Sequence, residues 1–76
     1  MSNADVRTDQ IQIVVNGRDR TVPAGLTLTN LLLHLDVDPS RVAVELNRAI
    51  VRKPDWEATI IEDRATLEIV QFVGGG

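Results

Sequence analysis

Four leucines decide most of what this chain can become. In "GLTLTNLLLHLDVDP", Leu28, Leu31, Leu32 and Leu35 fall at i, i+3, i+4 and i+7, the spacing of one helix face. A single amphipathic helix cannot bury its own stripe, so it must lie on something else the chain builds. Thr27 stands where an N-cap belongs, its hydroxyl placed for a free backbone N–H. Pro39 follows the last periodic residue and is expected to help end the segment. Leu33 lies opposite the stripe and is expected to be exposed.

The flanking segments supply the something else. "IQIVV" is a β-branched run with Ile11, Ile13 and Val15 on one face. Asn16-Gly17 follows, the strongest short hairpin signal. "RDRTVP" returns as a second strand, closed by Pro23, which has no N–H for a ladder. After the leucines, "RVAVEL" places Val42, Val44 and Leu46 on one side, Ala43 and Glu45 on the other. "NRAIV" reads as a turn into a very short strand. "RKPDWEATIIEDRA" is a longer connection with room for one turn near residues 54–56. "TLEIVQFV" is the last strand, the most hydrophobic, and is expected at the centre of the sheet.

The order is strand, strand, helix, strand, short strand, last strand. The economical packing is an α+β fold of the β-grasp, or ubiquitin-like, kind: a mixed sheet of four to five strands with one helix across one face. Residues 1–9 lack periodicity and read as a flexible N-terminal arm; 10–73 form the domain; 74–76 are a flexible glycine tail.

Composition narrows the chemistry. Seventy-six residues make one domain with a modest core. A net charge of −3 and only Trp56 and Phe72 as stacking side chains argue against nucleic acid. No cysteine means no disulfide and no thiolate metal site, and a single histidine, His34, leaves no Ser-His or Cys-His pair. No apolar run approaches membrane-span length and no signal-peptide pattern opens the chain, so the expected compartment is the cytoplasm. There is no phosphate loop, no GxGxxG turn and no metal-ligand spacing. The chain is expected to bind no cofactor, no metal and no membrane, and to contain no catalytic residue.

The remaining polar candidates have ordinary readings. Glu62-Asp63 fits a solvated turn. Trp56 is either a binding anchor or a cover for the core edge. His34 sits near the helix end, where a solvated imidazole meets the helix dipole. Arg48, Arg52 and Lys53 either steer an acidic partner or are plain surface.

That leaves "VQFVGGG". Gly74, Gly75 and Gly76 carry no Cβ, so this tail can be thin and extended. Two readings fit: frayed filler, or an arm that threads a narrow channel. On the second, the group that matters is the α-carboxylate of Gly76. A carboxylate is a poor electrophile, but a mixed anhydride with AMP is a good one. A sulfur nucleophile can displace AMP from it and leave a thiocarboxylate.

"GLTLTNLLLHL", "VAVELNRAIVRKPDW" and "LEIVQFVGGG" resemble ThiS, the sulfur-carrier family of thiamine biosynthesis. The likeness runs over about residues 11–76, and its most specific part is Asn47, Ile50-Val51-Arg52 and Trp56 followed by the glycines. Relatives often carry an Asp-Gly-Asp-like turn before the last strand; here it reads "EDRAT", which leaves that turn's geometry open. The resemblance implies a carrier that is a substrate and co-substrate of its partner enzymes. An E1-like adenylyltransferase would use ATP to adenylate Gly76. A sulfur donor system would convert the adenylate to the thiocarboxylate. Thiazole synthase would then accept the sulfur.

Docking would need a surface. If Leu67 and Ile69 face the helix, Val70 and Phe72 face outward beside Ala43, and this face is expected to dock both enzymes. Three alternatives stay open. A ubiquitin-like modifier would form isopeptide bonds. A molybdopterin-synthase small subunit would pass sulfur to a different synthase. A plain interaction module would have glycines that mean nothing.

Overall fold

Asn16 and Gly17 both have positive φ, 51° and 82°, which a two-residue hairpin turn demands of its central pair. They join β1 (Gln10–Val15) to β2 (Arg18–Pro23) in antiparallel register, with Val15 opposite Arg18. The computed structural model describes residues 9–72. The expected glycine tail and residues 1–8 of the expected arm lie outside that range. Asp9 lies within it, and its carbonyl accepts from the Ala24 amide at 2.9 Å.

Three more strands complete the sheet: β3 (Val42–Leu46), β4 (Ala49–Val51) and β5 (Thr66–Gln71). Their order is β2-β1-β5-β3-β4, with β5 parallel to β1 and antiparallel to β3. This is the mixed five-stranded sheet of a β-grasp fold, and the last strand holds the centre as its hydrophobicity required. Burial alternates along the strands: Ile13, Val15, Val42, Val44 and Leu67 are buried on the side that faces the helix.

Helix α1 (Leu28–His34) lies across that side and sinks Leu28, Leu31 and Leu32 completely. Each such side chain contributes on the order of 1.5–3 kcal/mol by burial. Thr27 caps it as the sequence indicated, its Oγ1 accepting from the Asn30 amide at 3.1 Å. Leu33 is 55% exposed.

Pro39 does not end the helix; the stop comes earlier and has another cause. Asp36 turns left-handed at φ 62°. Its amide then donates to the Leu33 carbonyl at 3.0 Å, and the Val37 amide to the Leu32 carbonyl at 2.8 Å. That double closure is a Schellman motif, and it satisfies the last carbonyls before any proline is reached. Pro39 instead opens a 3-10 turn, Pro39–Arg41, capped by Asp38. The Ser40 hydroxyl and then the Ser40 amide donate to the Asp38 carboxylate and hold its pKa below the usual carboxylate value.

The connection after β4 is more ordered than one turn. Lys53–Ala58 is a 3-10 run that carries Trp56 into the core. Its far end is tied to the start of α1 by Leu28 N–H to Thr59 O at 2.8 Å and Ile61 N–H to Leu26 O at 2.9 Å. Among the described residues no helix is long and apolar enough to cross a membrane.

Candidate functional site

The site is built around the end of β5. Alternation along this strand turns Leu67 and Ile69 toward the helix and leaves Val70 and Phe72 60% and 57% exposed on the opposite face. Ala43 is the register partner of Val70 and is half-buried beside it. The ladder continues one residue past the strand, where the Phe72 amide donates to the Arg41 carbonyl at 2.8 Å. The backbone is therefore held up to Phe72. Gly74, Gly75 and Gly76 lie outside the described residues.

Two asparagines hold β5 where its neighbours give out. The Asn16 amide group pairs with Ile69 as a peptide would: its Oδ1 accepts from the Ile69 N–H at 2.7 Å and its Nδ2 donates to the Ile69 carbonyl at 3.2 Å. Asn47, at φ 52° in the β3–β4 turn, does the same for the strand's start. Its Oδ1 accepts from the Thr66 N–H at 2.9 Å, and its own N–H donates to the Thr66 carbonyl at 2.7 Å. The hairpin signal located Asn16 but said nothing of this second use of its side chain. Asn16→Ala is expected to cost about 2–4 kcal/mol, from left-handed strain and two lost bonds. Asn16→Gly, which keeps the turn, should cost about half of that. Urea midpoints at unchanged m-value measure both.

In the "EDRAT" turn Arg64 takes a left-handed φ of 72°. Asp63 does more than face solvent: its Oδ1 accepts from the Gln12 amide at 2.8 Å. The Arg64 amide donates to the Gln12 carbonyl at 2.6 Å and Val14 N–H to Ala65 O at 2.9 Å. The turn thus extends the β1–β5 ladder. The Asp63–Arg64 ion pair at 3.9 Å is exposed and adds little.

Of the other candidates, Trp56, Arg52 and Lys53 border the strand end, lining with Ala43, Ile50 and Phe72 an open cavity of about 400 Å³. Trp56 is 3% exposed, and its Nε1 donates to the Val51 carbonyl at 2.8 Å, so it covers the core. His34 is exposed in the last turn of α1. Arg48, Arg52 and Lys53 are exposed, with the Lys53 ammonium 5.5 Å from the Trp56 ring centre. No cluster of metal-ligating side chains occurs among the described residues.

Ile50 is the residue that sequence reasoning missed. It is 72% exposed and pairs with Glu45, which puts it on the same face as Ala43 and Val70. A shallow groove of about 110 Å³ runs between Ile50 and Val70 over Ala43. Carrying the alternation of β3 through the turn at Asn47-Arg48 would have found it.

Residues 9–76 match the profile of the ThiS family. The chain belongs to that family. It is 42% identical over 66 residues to the thiazole synthase of Paramagnetospirillum magneticum, covering 87% of this chain. It spans only 20% of that synthase's length, and the same share of its Magnetococcus marinus counterpart. It is 30% identical to the sulfur carrier protein ThiS of Escherichia coli, over 87% of this chain and 100% of that one. The crystal structure of the thiamine biosynthesis protein ThiS from Geobacter metallireducens superposes with a TM-score of 0.77 at 35% identity, covering 87% of this chain and 100% of that one. ThiS proteins are sulfur carriers of thiamine biosynthesis and are not enzymes.

Proposed function

We propose that this ThiS-family chain carries sulfur to the thiamine thiazole on the α-carboxylate of Gly76. One observation carries the reading. A central strand, paired with both neighbours at its start and held on the β3 side to Phe72, ends one residue of sequence before the glycines. So short a spacer ties the position of the glycines to that of the sheet. The family match extends through the same glycines, and it favours thiamine over molybdopterin or protein modification.

The chemistry is then that of a carboxylate loaded by others. Its oxygen attacks the α-phosphorus of ATP on an E1-like adenylyltransferase, and pyrophosphate leaves. Sulfide-level sulfur from a donor system, ultimately from cysteine, attacks the acyl carbon; the C–O bond to AMP breaks, AMP leaves and a thiocarboxylate remains. Thiazole synthase takes the sulfur; the carrier's C–S bond breaks and water restores the carboxylate. ATP belongs to the activating partner, and the whole cycle has its place in the cytoplasm.

The test is intact-mass measurement after incubation with the adenylyltransferase, ATP and a sulfur donor. A product heavier by one oxygen-to-sulfur exchange at the C-terminus supports the carrier; persistent isopeptide conjugates would support a modifier instead. The docking face is part of the same proposal: Val70, Phe72 and Ala43, joined by Ile50. Phe72→Glu is expected to weaken binding to both enzymes about tenfold or more while leaving the monomer folded. Unchanged affinity for both would remove this face from the proposal.

A further inference from the structure

We infer that the chain has a second docking surface, a notch on the helix side of the sheet that receives an acidic, apolar-anchored segment of the activating enzyme. This rests on the carrier reading above and concerns the opposite side of the same strand.

The notch follows from the length of the helix. At seven residues, α1 is closed by its Schellman turn before it crosses the whole sheet. The corner beyond it stays open as a cavity of about 320 Å³. Val15, Val37 and Ile69 form its apolar floor, and Arg18, Arg20 and Gln71 stand at its edges. Register explains the arginines. Arg18 pairs with Val15 and Arg20 with Ile13, so both sit on the helix side of edge strand β2. Facing pairs on an antiparallel ladder share a face.

Two features specify the occupant. Among the described residues the only ion pair is Asp63–Arg64, so neither notch arginine is bonded to a carboxylate. Two guanidinium groups with no carboxylate partner among the described residues stand beside an apolar floor, on a chain of net charge −3. The complement is a carboxylate next to one large apolar side chain. The volume lies at the bottom of the range for small-ligand pockets and suits a side chain better than a cofactor.

Position gives the notch a purpose. Ile69 and Gln71 point into it while Val70 and Phe72 point away. A partner that grips the outer face alone holds the domain from one side of β5. A partner that also fills the notch holds both sides, and so fixes the orientation of the whole sheet in the complex. Attack on a phosphorus atom depends on such alignment, since misplacement by about 1 Å can cost about a hundredfold in rate.

The experiment is calorimetric binding of the Arg18→Glu/Arg20→Glu double variant to the E1-like adenylyltransferase of the same organism, at low and high salt. Affinity should fall about tenfold or more at low salt, with the gap narrowing at high salt. An Arg18→Ala/Arg20→Ala variant should fall less and guards against misfolding of the first. Phe72→Glu runs alongside. If it weakens binding while both arginine variants match the wild type in affinity and salt dependence, the notch inference is wrong and the carrier reading stands. If none weakens binding, the docking proposals on both faces fail together. If instead the wild type self-associates in sedimentation and the arginine variants do not, the occupant is a second copy and the inference is overturned.

Discussion

A chain carrying one retained alanine after Gly76 is expected to fold and dock normally yet lose sulfur transfer. One residue of extended backbone moves the carboxylate by about 3.5 Å, and the new Cβ must pass wherever the glycines passed. Displacement of about 1 Å already costs about a hundredfold in a well-aligned reaction. The adenylation rate at saturating enzyme should therefore drop by at least about that factor. Affinity should barely change, because Val70, Phe72, Ala43 and Ile50 are untouched. Phe72→Glu should show the reverse pattern, a raised KM with kcat nearly intact. Thiocarboxylate formed on the extended chain, with the alanine confirmed in place by mass, would refute the terminal-carboxylate mechanism.

The contrast between those two variants also marks what the sequence disclosed. Strand positions were legible because each has one buried face: Ile13 and Val15, Val42 and Val44, and Leu67 all fall on the side that period-2 alternation assigns. The helix was legible from its leucines and Thr27. Its end was not. A left-handed Asp36 leaves no compositional mark, since aspartate is common in many local roles, whereas Pro39 draws the eye. Ile50 was hidden for a related reason: β4 has three residues, too few to show a period. The notch was hidden more deeply. Arg18 and Arg20 read as polar residues of a second strand, and only the register with Ile13 and Val15, together with where α1 stops, brings them to an open apolar corner. Local signals report which face a residue takes, and they do not report how far a neighbouring element reaches.

Trp56→Ala is expected to leave most of the protein unfolded. Trp56 is 3% exposed and contributes the largest side chain of the core cluster. Truncating a buried tryptophan typically costs about 3–5 kcal/mol. A domain of this size holds only about 3–5 kcal/mol in total. Trp56→Phe separates the two roles that the sequence left open for this residue. It refills part of the volume but gives up the indole N–H bond to the Val51 carbonyl, seen at 2.8 Å. It should therefore cost about 1–3 kcal/mol, remain folded at low temperature, and bind the adenylyltransferase with wild-type affinity. A folded Trp56→Phe protein with tenfold weaker binding would make Trp56 a docking anchor after all. The expected result carries a wider point about the block from 47 to 56, the most specific stretch of the ThiS resemblance. Asn47 bonds the start of β5, and Trp56 closes the core against β4. On this account Asn47 and Trp56 do not touch the sulfur. They hold rigid the strand that leads to it.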